Sequence, residues 1–183
     1  MEETPTAADE QDRALVTRCL EGHQDAAGAL VDRYQKRLFN VALRMLGTAQ
    51  DAEDVTQTVF LNAFRKLKSY DPKYKFFSWV YRMTVNESLN TLKRRKKTVT
   101  LEDVLVDPGL GAAPDRAAEA EDRVGQALMS LSPDDRAVVV LSHFVSFSYQ
   151  EIADVLEIPV KTVKSRLFTA RERLRLALGE GVR

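Results

Sequence analysis

The six prolines of this 183-residue chain stand only where a helix can start, stop or be absent, and this constrains the fold more than any other feature. Proline lacks a backbone N–H and its ring clashes with the preceding turn. The stretches between Pro5, Pro72, Pro108, Pro114, Pro133 and Pro159 are therefore free to be helical. Within them apolar residues recur at three- and four-residue spacing, and no segment alternates cleanly with period two. The chain reads as all-α, without a sheet.

Ala27, Leu30, Val31, Tyr34, Leu38, Val41, Ala42 and Met45 share one helical face, and Gly47 supplies a stop. A second helix is expected to open near Asp51, with Asp54 completing a capping box. It turns Val55, Val59, Ala63 and Leu67 inward with Phe60 and Phe64 beside them, until the run SYDP ends it at Pro72. A third helix is predicted from Phe76 to Arg95, with Phe77, Val80, Tyr81, Val85, Leu89 and Leu92 on its apolar side. Residues 1–11 are polar and acid-rich and read as a disordered tail.

Residues 98–118 lose the helical period and hold Pro108, Pro114, Gly109 and Gly111, which marks a flexible, acidic linker. The expected architecture is two small helical domains, at 12–97 and 122–178, joined through 98–121. A hydrophobic content of 44% gives each half enough apolar surface for a core. In the second half Ser132 caps, Pro133 takes the first helical position and Asp135 completes a capping box, with helices near 134–145, 149–156 and 160–178.

The 27 basic and 27 acidic residues cancel, but they are not mixed. Lys161 to Arg175 holds six bases against Glu172, while residues 102–122 hold seven acids against Arg116. The single cysteine, Cys19, excludes an internal disulfide and suits a reducing compartment. The acidic start MEETPTAADEQD lacks a signal peptide's features, and no apolar run nears the roughly 18 residues that span a bilayer. A soluble, cytoplasmic protein with no membrane insertion is expected. An enzyme is disfavoured: with only His23 and His143, no phosphate loop and no cluster of metal ligands, no catalytic residue, metal or cofactor is expected.

The segment SYQEIADVLEIPVKTVKSRLFTARERLR has the layout of a helix-turn-helix. Ser148 and Glu151 form a capping box; Tyr149, Ile152, Ala153 and Leu156 share an apolar face; the turn is Glu157-Ile158-Pro159. Val160, Val163, Leu167, Ala170 and Leu174 then face inward, which leaves Lys161, Thr162, Lys164, Ser165, Arg166, Phe168, Thr169 and Arg171 outside. Cations for phosphate and guanine, with hydroxyl and apolar groups between them, are what a recognition helix needs. A solvated basic face is the plainer reading, and DNA binding outweighs it because an amphipathic helix and a short turn precede the face.

Six of the 14 aromatic residues lie between 70 and 81: Tyr70, Tyr74, Phe76, Phe77, Trp79 and Tyr81. Helical spacing puts Trp79, Arg82, Asn86, Asn90 and Lys93 on one face, and five bases follow from Lys93 to Lys97. An aromatic beside amides and cations suits single-stranded nucleic acid. Phe77 and Tyr81 fit the apolar period and read as core, and the basic run also suits a solvated helix end. On spacing alone Trp79, Arg82 and Asn86 fit a structural role as well as a functional one.

Taken in order, DAEDVTQTVFLNAFRKL, FFSWVYRMTVNESLNTLKRR and LSPDDRAVVVLSHFVSFSYQEIADVLEIPVKTVKSRLFTARERL resemble the second and fourth conserved regions of extracytoplasmic-function sigma factors. The resemblance covers nearly all of the chain outside the tail and linker. It implies a non-catalytic subunit that binds core RNA polymerase, through its largest and second-largest subunits, and recognises promoter DNA. Asp51, Asp54, Gln57 and Phe60 would dock on the clamp helices of the largest subunit; Thr58 departs from the acid common in the family. The loop from Ser69 to Lys75, with Tyr74, and the face of Trp79, Arg82, Asn86, Asn90 and Lys93 would open the −10 element and hold an unstacked base. Thr162, Lys164, Ser165, Arg166, Phe168 and Arg171 would read the −35 element as duplex, and Glu157 replaces a frequent turn glycine. The acidic linker resembles the segment that the family threads through the RNA exit path, and the family implies an anti-sigma protein as a further partner. The alternative is a polymerase-independent helix-turn-helix regulator, which would need its own sensor or dimer surface. Residues 12–97 carry no strand pattern for one.

Overall fold

Helices form where the apolar spacing demands them, and in one place where it does not. The computed structural model describes residues 7–99 and 116–179, and among these it is helical with no strand. The first domain centres on α2 (Gln24–Leu46), which buries Leu30, Tyr34, Leu38, Val41, Ala42 and Met45. It ends at Gly47, where φ of 79° puts the backbone in the left-handed region and the N–H bonds the Leu43 carbonyl at 2.8 Å. The helices α3 (Ala49–Lys66) and α4 (Phe76–Val99) pack on α2 and on each other. Val55, Val59, Ala63, Val80, Tyr81 and Val85 complete that core.

Two starts differ from expectation. α3 begins before Asp51, with Thr48 as its N-cap residue, so Asp51 and Asp54 form no capping box. Asp51 instead lies in the first turn, where a carboxylate is favoured, and accepts from the Thr48 hydroxyl at 2.6 Å. Residues 7–11, expected in a disordered tail, belong to a helix, α1 (Ala7–Leu20). Polar contacts hold it: Asp12 accepts from the Tyr34 hydroxyl and pairs with Arg33 at 3.1 Å, Arg33 donates to Gln11 at 3.0 Å, and Val16 adds the apolar anchor.

The second domain comprises α5 (Arg116–Met129), α6 (Pro133–Val139), a π-helical turn (Val140–Phe144), α7 (Tyr149–Leu156) and α8 (Val160–Leu178). Ser132 accepts from the Asp135 N–H at 3.2 Å, and Ser148 and Glu151 form the expected capping box. Val163, Leu167 and Ala170 of α8 are buried against α6 and α7. On α7 the buried set is Ile152, Ala153 and Val155; Tyr149, expected inside, is 37% exposed because it lies at the first helical position, beyond the crossing with α8. Of the expected linker, residues 98–99 and 116–121 are helical, and 100–115 lie outside the described residues.

The second domain lies against the first. α7 crosses α4, and α5, α6 and the π-helical turn touch α2. Arg136 of α6, 5% exposed, reaches across to the Met45 carbonyl at 2.5 Å and also holds Met129 and Leu131 carbonyls of its own domain. Among the described residues no helix is long and apolar enough to cross a membrane, and no three His, Cys, Asp or Glu side chains gather as a metal would require.

Candidate nucleic-acid interface

The aromatic run folds into a cluster of edge-on and tilted rings at the start of α4. Tyr34 meets Phe76 edge-on at 5.7 Å between ring centroids, Phe76 lies 5.6 Å from Tyr70, and Trp79 rests on Tyr70 and Phe76 at 5.4 and 5.8 Å. Burial pushes the Tyr70 phenol up to about 12, so it stays a donor, and it bonds the Tyr74 carbonyl at 2.5 Å. That bond and the Tyr74 N–H to the Asp71 carbonyl, at 3.1 Å, close the loop. Tyr74 itself projects, 66% exposed. Trp79 is half-buried, with one side against this cluster and the other lining a cleft shared with Ser69, Tyr74, Lys75 and Arg82. Arg82 is half-buried; Asn86, Asn90 and Lys93 follow it, exposed, along the same face of α4. The structure thus gathers the whole stripe on one side of one helix. Phe77 and Tyr81 point the other way, as core, against Phe147 of the second domain.

The second cationic surface is on α8. Lys164, Ser165, Phe168 and Arg171 are exposed, and Thr162 and Arg166 are half-buried. Arg166 pairs with Asp134 at 3.2 Å, Arg173 with Asp135 at 3.2 Å, and the Ser165 hydroxyl returns to the Thr162 carbonyl at 3.1 Å. The two ion pairs orient the arginines from α6, leaving Phe168, at 71% exposure, as an apolar contact between cations. Arg171 donates to His143 at 3.4 Å; burial first, and this arginine second, push the imidazole below its ordinary range.

On α3 Asp54 and Gln57 are exposed on the solvent side, while Asp51 and Phe60 are half-buried on the two flanks of the helix. Phe60 stacks on Phe64 at 6.2 Å, and Gln57 lines a shallow groove with Asp32, Lys36 and Phe39 of α2. Asp51 is less free than the sequence implies. Arg95 of α4 pairs with it, and also holds the Leu46 carbonyl at 3.2 Å and the Thr48 hydroxyl at 3.0 Å.

These surfaces coincide with two family models: Sigma-70 region 2 matches residues 30–98 and Sigma-70, region 4 matches residues 121–174. The RNA polymerase sigma-H factor of Pseudomonas aeruginosa is 36% identical over 182 residues, covering 92% of this chain and 94% of its own. The ECF RNA polymerase sigma factor SigW of Bacillus subtilis is 33% identical over 170 residues, covering 86% and 91%. The chain belongs to the extracytoplasmic-function sigma factors. Its fold is similar to that of CnrH solved in complex with the cytosolic domain of CnrY, at a TM-score of 0.74 and 28% identity, over 94% of this chain and 99% of that one.

In this sigma factor, region 2 ends within α4 and region 4 spans α5 to α8. Spacing alone misses three sets of contacts that the fold makes around region 2. Arg13 and Asp9 reach the cleft from α1, a helix with too few apolar positions to announce itself. Arg95 locks α4 to the start of α3; the only hint of it was its place in the basic run. Glu157 reaches Arg82 from the turn of the helix-turn-helix, 75 residues away in sequence, where no local signal exists.

Proposed function

We propose that this sigma factor docks on core RNA polymerase through the α3 face of Asp51, Asp54, Gln57 and Phe60, opens the −10 element at α4, and reads the −35 element with α8. The observation that carries the reading is the pairing of two different cationic surfaces. On α4 Trp79 leans, tilted, against Tyr70 and Phe76 at the head of the Arg82, Asn86, Asn90 and Lys93 stripe, which suits an unstacked base and its backbone. On α8 exposed Lys164, Ser165, Phe168 and Arg171 follow a capped helix and a short turn, which suits the major groove of a duplex. Melting and duplex reading by one chain is the work of a promoter-specificity subunit.

The sigma factor carries no chemistry of its own in this account: the polymerase makes the bonds, and the chain needs neither metal nor cofactor. It acts in the cytoplasm, with its polymerase and DNA. CnrH is solved in complex with the cytosolic domain of CnrY, which supports a protein partner here as well, and an anti-sigma protein is the partner proposed. The test is co-elution with core polymerase followed by footprinting on a bound promoter. Protection at both elements, with strand opening at the upstream edge of the −10 element, is expected. Full-strength duplex binding by the chain alone, with no shift on adding polymerase, would contradict it.

A further inference from the structure

The cations of α8 fall into two groups. Arg166 donates through Nη2 to Asp134 at 3.2 Å, Arg173 through Nη1 to Asp135 at 3.2 Å, and Arg171 through Nε to His143 at 3.4 Å. All three partners come from one short segment, α6 and the π-helical turn that follows it. Each of these bonds uses a single nitrogen of its guanidinium, which leaves other N–H donors for a ligand. Lys161 and Lys164 of the same helix are exposed, with no ion pair among the described residues.

The two groups meet different demands of a duplex. A phosphate takes a point charge from many directions, which an untethered lysine supplies, and such a contact is blind to sequence. A guanine edge needs the planar fork in one place and one orientation. A free arginine surrenders rotamer freedom to reach it, whereas a pinned one has surrendered it already. Arg166 is half-buried and pinned at the centre of the basic face. Its partner Asp134 is 58% exposed, so nothing hides that carboxylate from DNA, and an anion beside a DNA-reading cation costs affinity. Asp135, at 14%, is instead folded into the helix start, where its N–H bonds the Ser132 hydroxyl.

We propose that Asp134 is a positioning residue that sets −35 specificity: it fixes the Arg166 fork for a base edge and holds it off the phosphate backbone, so the sigma factor gives up affinity for discrimination. This rests on the assignment of α8 to the −35 duplex. The ion pair is solvent-exposed on its Asp134 side and therefore weak, which makes the effect a few-fold one. A carboxylate kept only to favour the start of α6 would act differently. Its loss would lower stability and weaken binding to every sequence alike.

Core polymerase is reconstituted with the full chain, wild type or carrying Asp134→Asn, Asp134→Ser or Arg166→Ala, and duplex affinity is read by fluorescence anisotropy. The probes are duplexes that the wild-type holoenzyme selects from a pool randomised at both elements, the same duplexes with each −35 base pair replaced in turn, and an unrelated mixed-sequence duplex. Both Asp134 variants should bind the mixed-sequence duplex about two- to fivefold tighter than wild type, with a salt slope steeper by about 1 as the freed arginine takes a phosphate. Their preference for the selected base pair should fall about three- to tenfold at one −35 position, the position at which Arg166→Ala also loses preference. Combined with Arg166→Ala, the Asp134→Ser change should remove no further preference. Tighter binding with poorer discrimination is a pair of opposite signs that a folding defect does not produce. Unchanged preference in both Asp134 variants, or weaker binding to all duplexes together, overturns the proposal. If Arg166→Ala itself keeps wild-type affinity and preference, the assignment of Arg166 to the −35 duplex fails, which is a different result from Asp134 variants that leave a working Arg166 unaffected.

Discussion

Replacing Asp12 by alanine should loosen α1 and, through Tyr34, the aromatic cluster around Trp79. The Asp12 side chain is buried, accepts from the Tyr34 hydroxyl and pairs with Arg33. Tyr34 is 3% exposed, so its hydroxyl would be left without a partner or water, at about 1–3 kcal/mol. Removing a desolvated carboxylate offsets part of this, and a net loss of about 2 kcal/mol is expected. For a chain of this size that lowers Tm by about 4–8 °C. The pH dependence gives a second handle. Burial raises the Asp12 carboxyl above its ordinary 3.8, against the opposing pull of the Tyr34 hydrogen bond and Arg33. Between 3.8 and the raised value the folded chain binds more protons than the unfolded one, so this group's contribution is full at the acid end and falls as pH rises through the window. Asp12→Asn keeps an acceptor for Tyr34 but cannot titrate, and should lose that slope while melting above Asp12→Ala. Circular dichroism melts from acidic to neutral buffer measure both effects. An Asp12→Ala protein that melts with the wild type, and resists proteolysis within residues 7–20 as well as it does, would refute the polar clamp.

Three further outcomes are expected. Ser148→Ala removes the acceptor for the Glu151 N–H and should cost about 1 kcal/mol in urea unfolding, with loss concentrated in the second domain. Arg166→Ala should cost about 1–3 kcal/mol at the −35 element and relax sequence preference there; equal weakening on every sequence would show that Arg166 contacts phosphate alone. Trp79→Ala and Asn86→Ala should leave polymerase binding intact and abolish permanganate reactivity of the −10 strand, and a loss of helical signal in Trp79→Ala would mean that Trp79 serves the fold instead.

Elements whose stability comes from apolar stripes could be read from sequence. The α2 face from Leu30 to Met45, the inward positions of α3, and Val163, Leu167 and Ala170 of α8 are where the spacing puts them. α1 was hidden because carboxylates hold it, through partners far along the chain. The start of α3 was misplaced because Thr48 and Asp51 are both good helix-start residues, and only Arg95, bridging from α4, shows how they are used. Position along a short helix matters as much as face: Tyr149 has the right spacing for the core but sits at the end of α7, and Val155 takes its place. The candidate site was legible as a stripe on α4 and a basic face on α8. The pairing of Arg82 with Glu157 was not, since each looks like an ordinary surface charge until the domains are placed together.

The central claim is that this chain confers promoter choice on RNA polymerase, and run-off transcription from a promoter library tests it most directly. With core polymerase and the wild-type chain, a small set of templates sharing one −35 and one −10 sequence should yield transcripts. Trp79→Ala should silence them and Arg166→Ala should broaden the set. Transcription no different from that of core polymerase alone, on every template, would contradict the account.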